Sequence, residues 1–358
     1  MKWLFLALAV VFVCVVVTGC STPPQAVHEK LGVRNEVAVQ VPPARPGEPA
    51  RPGAAVSAES ARISSETLPP YEPVAGLAGK IASIGDSTAT NLVARAAAEF
   101  RRIQPEVKLQ VTAALAGVGL AALLEGRADI VPMSRALTPE EVAAFQLKFG
   151  YPPTQIKVAA DALAIYVEKS NPVPGLKLAQ LDGIFSRTQR RGGGSIETWG
   201  QAGLSGEWAK RPITLYGYDP ADGVNQVFRQ QVLDGGEYRL SLRIELTGSA
   251  IVQDVAADPQ AIGCASIFFA AKRVRTVPVA GPDGQFYAPT AENVRAHKYP
   301  LSRFLYVCVN KPPNQPLGGP AAEFVWFLLS REGQQIVAAG GNIPLIPSTV
   351  EQGRRAME

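Results

Sequence analysis

Residues 81–91 of the chain read Ile-Ala-Ser-Ile-Gly-Asp-Ser-Thr-Ala-Thr-Asn, and an Ala- and Leu-rich stretch continues from there to Phe100. The apolar start predicts a short strand, Gly85 predicts a turn, and the residues after it predict the start of an amphipathic helix. Such a turn directs free backbone N–H groups and the positive end of the helix at one point, where an anion can bind. Ser, Thr and Asp at a helix start are also common for capping alone, so a well-capped helix is the alternative.

Strands and helices alternate along the chain from about residue 80. The predicted strands are 107–111, 128–133, 157–167, 213–216, 261–269, 274–279 and 305–309, and the predicted helices are 115–125, 139–149, 224–233, 320–329 and 331–338. This alternation predicts an α/β fold with mostly parallel sheets, whose ligands bind beyond the carboxyl ends of the strands. The chain after residue 80 is long enough for one large or two medium domains.

The N-terminus has the pattern of a secretion signal. An apolar run at 3–17 is short for a membrane span, and Val-Thr-Gly-Cys follows at 17–20. Because this ending resembles the bacterial lipobox, residues 1–20 are predicted to be a lipoprotein signal peptide, with Cys20 as the lipidated first residue. An uncleaved anchor helix is the alternative, and either would place the rest of the chain outside the cytoplasm. Ser21 after the Cys weakly favours the outer membrane, because inner-membrane retention in some Gram-negative bacteria is marked by Asp.

Residues 21–79 are rich in Pro, Ala, Gly and charged residues and show no sustained apolar periodicity. A segment of this composition cannot bury enough apolar surface to offset its conformational entropy. The sequence therefore predicts a disordered tether between the anchor and the folded region.

Composition and spacing exclude several classes of function. The net charge of +4 is small for 358 residues, and the basic clusters at 188–191 and 272–275 lack interleaved aromatic residues, so no nucleic-acid partner is expected. The folded region has a single His, His297, and no carboxylate pair or metal-ligand spacing emerges from the sequence. We therefore expect neither an enzyme nor a metal or cofactor site.

Cys264 and Cys308 are the two cysteines of the folded region. In an oxidising compartment such a pair is a disulfide candidate, which would stabilise the fold by about 4 kcal/mol. Two separate buried thiols in strands are an equally weighted alternative. A metal site formed with His297 lacks the close paired spacing that such sites usually show.

Several segments occur in an order that resembles the phosphate-binding proteins of bacterial phosphate ABC transporters. These segments are 85–88, 126–135, 161–167, 184–188, 199–200, 213–217, 248–253, 299–303, 309–312 and 333–337. The resemblance covers nearly everything after residue 80, and it implies a two-lobed periplasmic binding protein of type II whose ligand cleft lies between lobes that close by a hinge motion. Within a substrate-binding domain at 80–358, lobe 1 would comprise about 80–162 plus 272–350, and lobe 2 about 163–271.

The resemblance also implies a set of ligand-binding residues. The family binds tetrahedral phosphate with helix N-termini, hydroxyl groups, an Arg and usually an acid that accepts the phosphate proton. The first phosphate loop of the family falls here on Asp86, Ser87 and Thr88. Ser134 and Arg135 also match, and they supply a hydroxyl and a cation.

Two other loops depart from the family pattern. The second loop, 113–119, has no hydroxyl, so that only backbone N–H groups such as that of Gly117 could reach a ligand. The fourth loop has Tyr218 at the usual Arg position, and Asp222 at the usual Ser position before Gly223. A carboxylate in place of a hydrogen-bond donor works against binding of a dianion.

Two hypotheses of different class follow. The first is a periplasmic, lipid-anchored solute-binding protein that acts as a monomer and captures phosphate or a related oxyanion for an ABC permease. The second is a diverged member that has lost phosphate and either binds another small polar ligand or acts as an envelope interaction protein. If Tyr218 and Asp222 line the cleft, a ligand with an ammonium or hydroxyl group is favoured.

Overall fold

The computed structural model describes residues 39–40, 67–220 and 222–358. The predicted signal peptide with Cys20, and most of the predicted tether, lie outside these residues. Within the described ranges, no helix has both the length and the apolar character needed to cross a membrane.

The predicted alternation of strands and helices is confirmed. The strands are β1 (Val39–Gln40), β2 (Gly79–Gly85), β3 (Val107–Ala113), β4 (Val131–Met133), β5 (Thr154–Glu168), β6 (Thr214–Gly217), β7 (Arg243–Ile244), β8 (Ala261–Ser266), β9 (Val274–Val277), β10 (Val279–Ala280), β11 (Phe286–Tyr287) and β12 (Ser302–Val309). The helices are α1 (Ser87–Ile103), α2 (Ala116–Leu124), α3 (Pro139–Phe149), α4 (Leu178–Phe185), α5 (Gly223–Gln231), α6 (Gly248–Ala257), α7 (Ala291–Arg295), α8 (Gly319–Leu328), α9 (Arg331–Ala339) and α10 (Pro347–Met357).

The prediction of mostly parallel sheets is wrong. β2 and β3 do pair in parallel, and β1 adds to β3 in the antiparallel direction. The largest sheet has the order β4-β12-β5-β8-β6-β7, with β9 also on β5, and its long strand β5 pairs in the antiparallel direction with β12, β8 and β9. Alternation in sequence gives the succession of elements, but it does not give the direction in which a late strand such as β12 enters the sheet.

Strands β5 and β12 connect two separate hydrophobic cores. The first half of β5 contributes Ile156 to the smaller core, and the second half contributes Leu163 to the larger one. Leu301, just before β12, belongs to the larger core, whereas Leu305 within β12 belongs to the smaller core. A third cluster of buried side chains lies around α2, β4 and α3. The chain therefore passes between the two cores along each of these strands.

Two boundaries of the fold differ from the expectation. Leu68 is buried in the smaller core, and the Tyr71 ring packs edge-on against Phe100 and Phe327, with ring centroids 5.8 and 5.5 Å apart. The chain thus packs on the domain before the expected end of the tether at residue 79. Residues 274–301 supply side chains to the larger core because β9 pairs with the second half of β5, although the sequence grouped residues after about 272 with lobe 1.

The disulfide between Cys264 and Cys308, one of the two equally weighted possibilities, is not formed. Both thiols are free and buried, Cys264 on β8 in the larger core and Cys308 on β12, where its Sγ lies 3.7 Å from Met133 Sδ. Burial raises the pKa of both thiols. The alternative of two separate thiols in strands is therefore the correct one, and the described residues contain no cluster of His, Cys, Asp and Glu that could hold a metal ion.

Candidate functional site

The strand, turn and helix predicted at residues 81–100 are present as β2, Gly85 and α1. Asp86 is the N-cap of α1, and its Oδ1 accepts a hydrogen bond from the Ala89 N–H at 3.1 Å. Its other oxygen accepts a short hydrogen bond from the Ser134 N–H, just after β4. A Cβ on Gly85 would lie 2.0 Å from the Pro132 carbonyl oxygen, so only glycine permits this close approach. The fully buried Asp86 thus joins the start of α1 to the segment that carries Ser134.

Three helix starts converge on Asp86. A Cβ built on Gly223, the first residue of α5, would lie 3.4 Å from Asp86 Oδ2, 3.4 Å from Ser134 Oγ and 3.6 Å from the Cβ of Ala116. Ala116 is the first residue of α2. Helix α5 packs in the larger core, while α1 packs in the smaller core and α2 in the third cluster. The N-termini of α1, α2 and α5 therefore meet where the two halves of the domain face each other.

The helix starts present hydrogen-bond donors and positive potential to this point. None of the three helices has an acidic residue in its first turn, and Leu115, the N-cap of α2, provides no side-chain cap. The first N–H groups of a helix have no acceptor within the helix, and they carry the positive end of its dipole. The start of α2 therefore needs an acceptor from elsewhere, and an anion supplies one.

Four buried hydroxyl oxygens lie on the elements that meet at this point. They are Ser87 Oγ, Thr88 Oγ1, Ser134 Oγ and Tyr218 Oη, and none has a hydrogen bond of good geometry within the described part of the chain, although Thr88 faces Tyr218 and Ser134 faces the Asp86 carboxyl group. The Thr88 hydroxyl lies close enough to the Tyr218 hydroxyl to oppose the large rise that burial causes in the Tyr218 pKa. Buried polar atoms usually have a hydrogen-bond partner, so hydroxyls grouped in this way are suited to bind a polar ligand.

Two arginines lie near these hydroxyls, and their guanidinium groups have different hydrogen-bond partners. The Arg135 guanidinium donates to both oxygens of Glu141, at 2.6 and 2.7 Å, and to the Ala136 carbonyl at 2.9 Å. Arg303 donates from Nε to Asp161 Oδ2 at 2.9 Å, and its Nη1 has no partner among the described residues. The Arg303 charge acts on Asp86, Tyr218 and Asp222, whose pKa values it influences. Arg303 therefore combines a buried donor that has no partner in the described structure with a charge that acts on both carboxyl groups of the site.

Two buried carboxyl groups face the same point. Asp222 is the N-cap of α5, and its Oδ1 accepts a hydrogen bond from the Val224 N–H at 2.7 Å. Burial and then the charge of Asp86 raise the Asp222 pKa to about 7, against the lowering effect of Val224 and Arg303. Burial also raises the Asp86 pKa, although the N–H groups of Ala89 and Ser134 oppose this. Each carboxyl group can therefore be protonated more readily than an exposed aspartate.

Most of the predicted site residues come together. Elements that meet at one point carry Asp86, Ser87, Thr88, Ser134, Tyr218, Asp222 and Gly223. Gly117 is exposed in the first turn of α2, with open space where a Cβ would lie. Arg135 is near Asp86, but its guanidinium is occupied by Glu141.

Sequence reasoning missed Arg303 and its partner Asp161. Asp161 is the one charged side chain between Val158 and Val167 in a strand of buried residues, and it is 0 % exposed. A buried carboxylate needs a paired cation, so the position of Asp161 in an apolar strand indicated that a cation is paired with it. The pairing of β5 with β12, which places Arg303 opposite Asp161, joins segments that are distant in sequence.

Known proteins share this fold. A family profile described as a PBP superfamily domain matches residues 70–332. The phosphate-binding protein PstS of Pseudomonas aeruginosa is 39% identical over 302 residues, which cover 84% of this chain and 94% of that protein. A Clostridium perfringens substrate-binding protein, assigned to phosphate ABC transport and solved with bound phosphate, matches 75% of this chain and 100% of that one, with 26% identity and a TM-score of 0.61. A phosphate transport receptor from Vibrio cholerae, 24% identical with a TM-score of 0.59, covers 74% of this chain and 100% of its own, and it supports the fold.

These likenesses cover the described domain and include the helix starts that form the site. They confirm the fold expected from the sequence, a periplasmic binding protein of type II. The chain belongs to the PBP superfamily and, within it, to the family of the PstS phosphate-binding proteins.

Proposed function

We propose that this chain is an extracytoplasmic solute-binding lipoprotein that captures phosphate for an ABC importer. The observation that carries the proposal is the convergence of three helix N-termini on a group of buried hydroxyls that have no hydrogen bond of good geometry among the described residues. Relatives named for phosphate binding, one of them solved with bound phosphate, support the choice of ligand.

Each group at the site has a role toward a tetrahedral oxyanion. Backbone N–H groups at the starts of α1 and α2 and the hydroxyls of Ser87, Thr88 and Ser134 donate to phosphate oxygens. The Arg303 guanidinium adds the positive charge. The Asp86 carboxylate, held by two N–H groups, accepts the proton of the phosphate. Sulfate has no proton to offer in return, so the buried carboxylate disfavours it.

The altered fourth loop is compatible with phosphate. Tyr218 lies near Thr88 and Asp222 near Asp86, which supports their presence at the site and meets the condition of the alternative hypothesis. However, burial keeps the Tyr218 hydroxyl protonated, so it is a donor, and an Asp222 carboxyl with a pKa of about 7 can donate as well. The replacement of Arg and Ser in this loop therefore does not demand a ligand with an ammonium group.

We further propose that the two halves close on phosphate by hinge motion at β5 and β12. The halves follow the cores, with the boundary on β5 near Ala160 and on β12 between Leu301 and Leu305. Asp161 lies at this boundary, where it accepts hydrogen bonds from Ser266 at 2.6 Å and from Arg303. The described structure already has Gly223 next to Asp86 and Ser134, so it represents the closed arrangement, and opening at the two strands would separate these residues to admit phosphate.

The remaining parts of the proposal concern placement and partners. A signal peptide at 1–20, lipidation at Cys20 and a tether to the outer membrane would keep the binding domain in the periplasm. The domain would act as a monomer that delivers phosphate to an ABC permease. The role is binding rather than catalysis, in line with the transport function named for the relatives.

Calorimetric titration of phosphate into ligand-stripped protein tests the proposal. We expect a dissociation constant in the micromolar range or tighter. Ser134→Ala removes one hydroxyl that would donate to a charged ligand, so we expect a loss of about 1.5–3 kcal/mol, or about 10- to 150-fold in affinity. Ser302→Ala is the matched control, because the Ser302 hydroxyl donates to the Tyr299 carbonyl at 2.6 Å and takes no part in the site. The absence of heat at millimolar phosphate, or equal losses in both variants, would contradict the proposal.

A further inference from the structure

The proposed phosphate site holds two buried carboxyl groups that cap facing helices. Asp86 caps α1, Asp222 caps α5, and the two side chains are 0 % and 6 % exposed. A Cβ built on Gly223, the residue after Asp222, would lie 3.4 Å from Asp86 Oδ2, so the two caps are brought together across the site. A ligand bound at these helix starts would therefore lie near both carboxyl groups.

The charges around Asp222 do not balance two ionised carboxylates. Asp86 on α1 and Asp219 in the preceding loop raise the Asp222 pKa, and Arg303 on β12 lowers it. The nearby hydroxyls of Tyr218 and Tyr238 are held in the neutral form by burial. Arg303 is already paired with Asp161 at 2.8 Å, and Arg135, which also acts on Asp86, is paired with Glu141. A dianion with both carboxylates ionised would therefore add charge to a site that is already negative.

From this geometry we propose that the complex holds two protons on the ligand and Asp222 together, and that Asp222 thereby selects protonated oxyanions. The complex is either dihydrogen phosphate, which donates one O–H to each carboxylate, or hydrogen phosphate beside a protonated Asp222. Both descriptions contain the same number of protons and differ only in which atom carries one of them. The inference rests on the proposed function, because it specifies the ionic form of the ligand at the same site.

Proton balance makes the proposal measurable. At about pH 8.5, free phosphate is mainly the singly protonated dianion, and Asp222, with a pKa of about 7, is mainly ionised. Formation of the complex must then take up about one proton per phosphate from the solvent. Linkage requires the apparent affinity to fall by about tenfold for each pH unit in this range.

The experiment is phosphate titration of the ligand-stripped protein at about pH 8.5, in two phosphate-free buffers with different enthalpies of protonation. We expect uptake of about one proton for the wild type. Asp222→Asn and Asp222→Ser both keep a residue that can cap α5 but remove the ionisable group, so we expect uptake close to zero and an affinity that no longer falls with pH. Agreement between the two variants would show that the result comes from loss of the carboxyl group and not from a property of Asn or Ser.

The outcomes separate the inference from the function on which it rests. If the wild type binds no phosphate, the proposed function is contradicted. If the wild type binds phosphate without proton uptake, or if both variants take up as many protons as the wild type, the inference about Asp222 is overturned and the proposed function stands.

Discussion

The ion pairs Arg303–Asp161 and Arg135–Glu141 each contain an arginine whose charge acts on Asp86, and their geometry differs. Both members of the first pair are almost fully buried, at 4% and 0% side-chain exposure, whereas Glu141 in the second pair is 18% exposed. In Arg135 both Nη atoms donate to Glu141 or Ala136, and Nε has no partner in the described ranges. In Arg303, Nε donates to Asp161 Oδ2 and Nη2 lies 2.8 Å from the same oxygen, whereas Nη1 has no partner there. We therefore expect the terminal Nη1 of Arg303 to be the donor that a ligand can use, because both ends of the Arg135 guanidinium are already bound.

Arg303→Met should have the largest effect. It leaves Asp161 as a buried carboxylate without its cation, which costs about 3–5 kcal/mol of unfolding free energy. It also removes the charge that we assign to the ligand, so phosphate binding should be lost. Urea denaturation and calorimetric titration measure the two effects.

A double variant separates stability from binding in this prediction. Asp161→Asn combined with Arg303→Met removes both charges, and replacing a whole buried pair is often close to neutral for stability. We expect the double variant to recover most of the unfolding free energy and to remain unable to bind phosphate. Wild-type affinity in this variant would show that Arg303 only serves the fold.

Asp222→Asn should stabilise the ligand-free protein at alkaline pH. The folded-state pKa of Asp222, about 7, lies above its ordinary value of 3.8, so its contribution to stability is fully present below about pH 4 and is lost as the pH rises through about 7. Asn cannot ionise and still caps α5, so the variant should exceed the wild type by on the order of 2–4 kcal/mol at about pH 8 and match it near pH 4. Among the described residues no cation is paired with Asp222, unlike Asp161 and Glu141, and this prediction tests that difference.

Urea denaturation at the two pH values in phosphate-free buffer checks the effect of Asp222→Asn. Parallel stability profiles for the variant and the wild type would mean that Asp222 is as readily ionised in the folded state as in the unfolded chain.

Arg135→Met should have the smallest effect on binding. The variant loses hydrogen bonds to a partly exposed Glu141, which can be solvated, so we expect a loss of about 1–3 kcal/mol in unfolding free energy. Phosphate affinity should stay within about threefold of the wild type, since side chains outside the ligand contacts usually have small effects. A loss of affinity as large as that of Arg303→Met would remove the distinction between the two arginines and support the sequence-based assignment of Arg135 to the ligand.

Local sequence patterns predicted a large part of the site. The helix start at Asp86 is present with the capping hydrogen bond that Asp-Ser-Thr indicated, and α5 begins at Gly223, one residue before its predicted start. These features depend on neighbouring residues, so turn and capping chemistry is sufficient to find them. The resemblance to a known family then placed Ser134, Tyr218 and Asp222 in the same cleft.

Features that depend on tertiary contacts could not be read in the same way. The pairing of Arg303 with Asp161 depends on β12 lying antiparallel to β5, and no local pattern encodes that register. Whether Arg135 can bind a ligand depends on Glu141, which lies in the first turn of α3 and accepts a hydrogen bond from the Arg135 guanidinium. The residues before 79 have the composition expected of a tether, and composition alone does not indicate that Tyr71 packs on the domain. That packing depends on the aromatic rings of α1 and α8.

A crystal structure of the ligand-stripped protein after addition of phosphate would test the central claim most directly. We predict tetrahedral density between the starts of α1, α2 and α5, within hydrogen-bond distance of the Ser87, Thr88 and Ser134 hydroxyls and of the Arg303 guanidinium, with the Arg135–Glu141 pair intact. Density at another place, or phosphate held by Arg135 after separation from Glu141, would contradict the account.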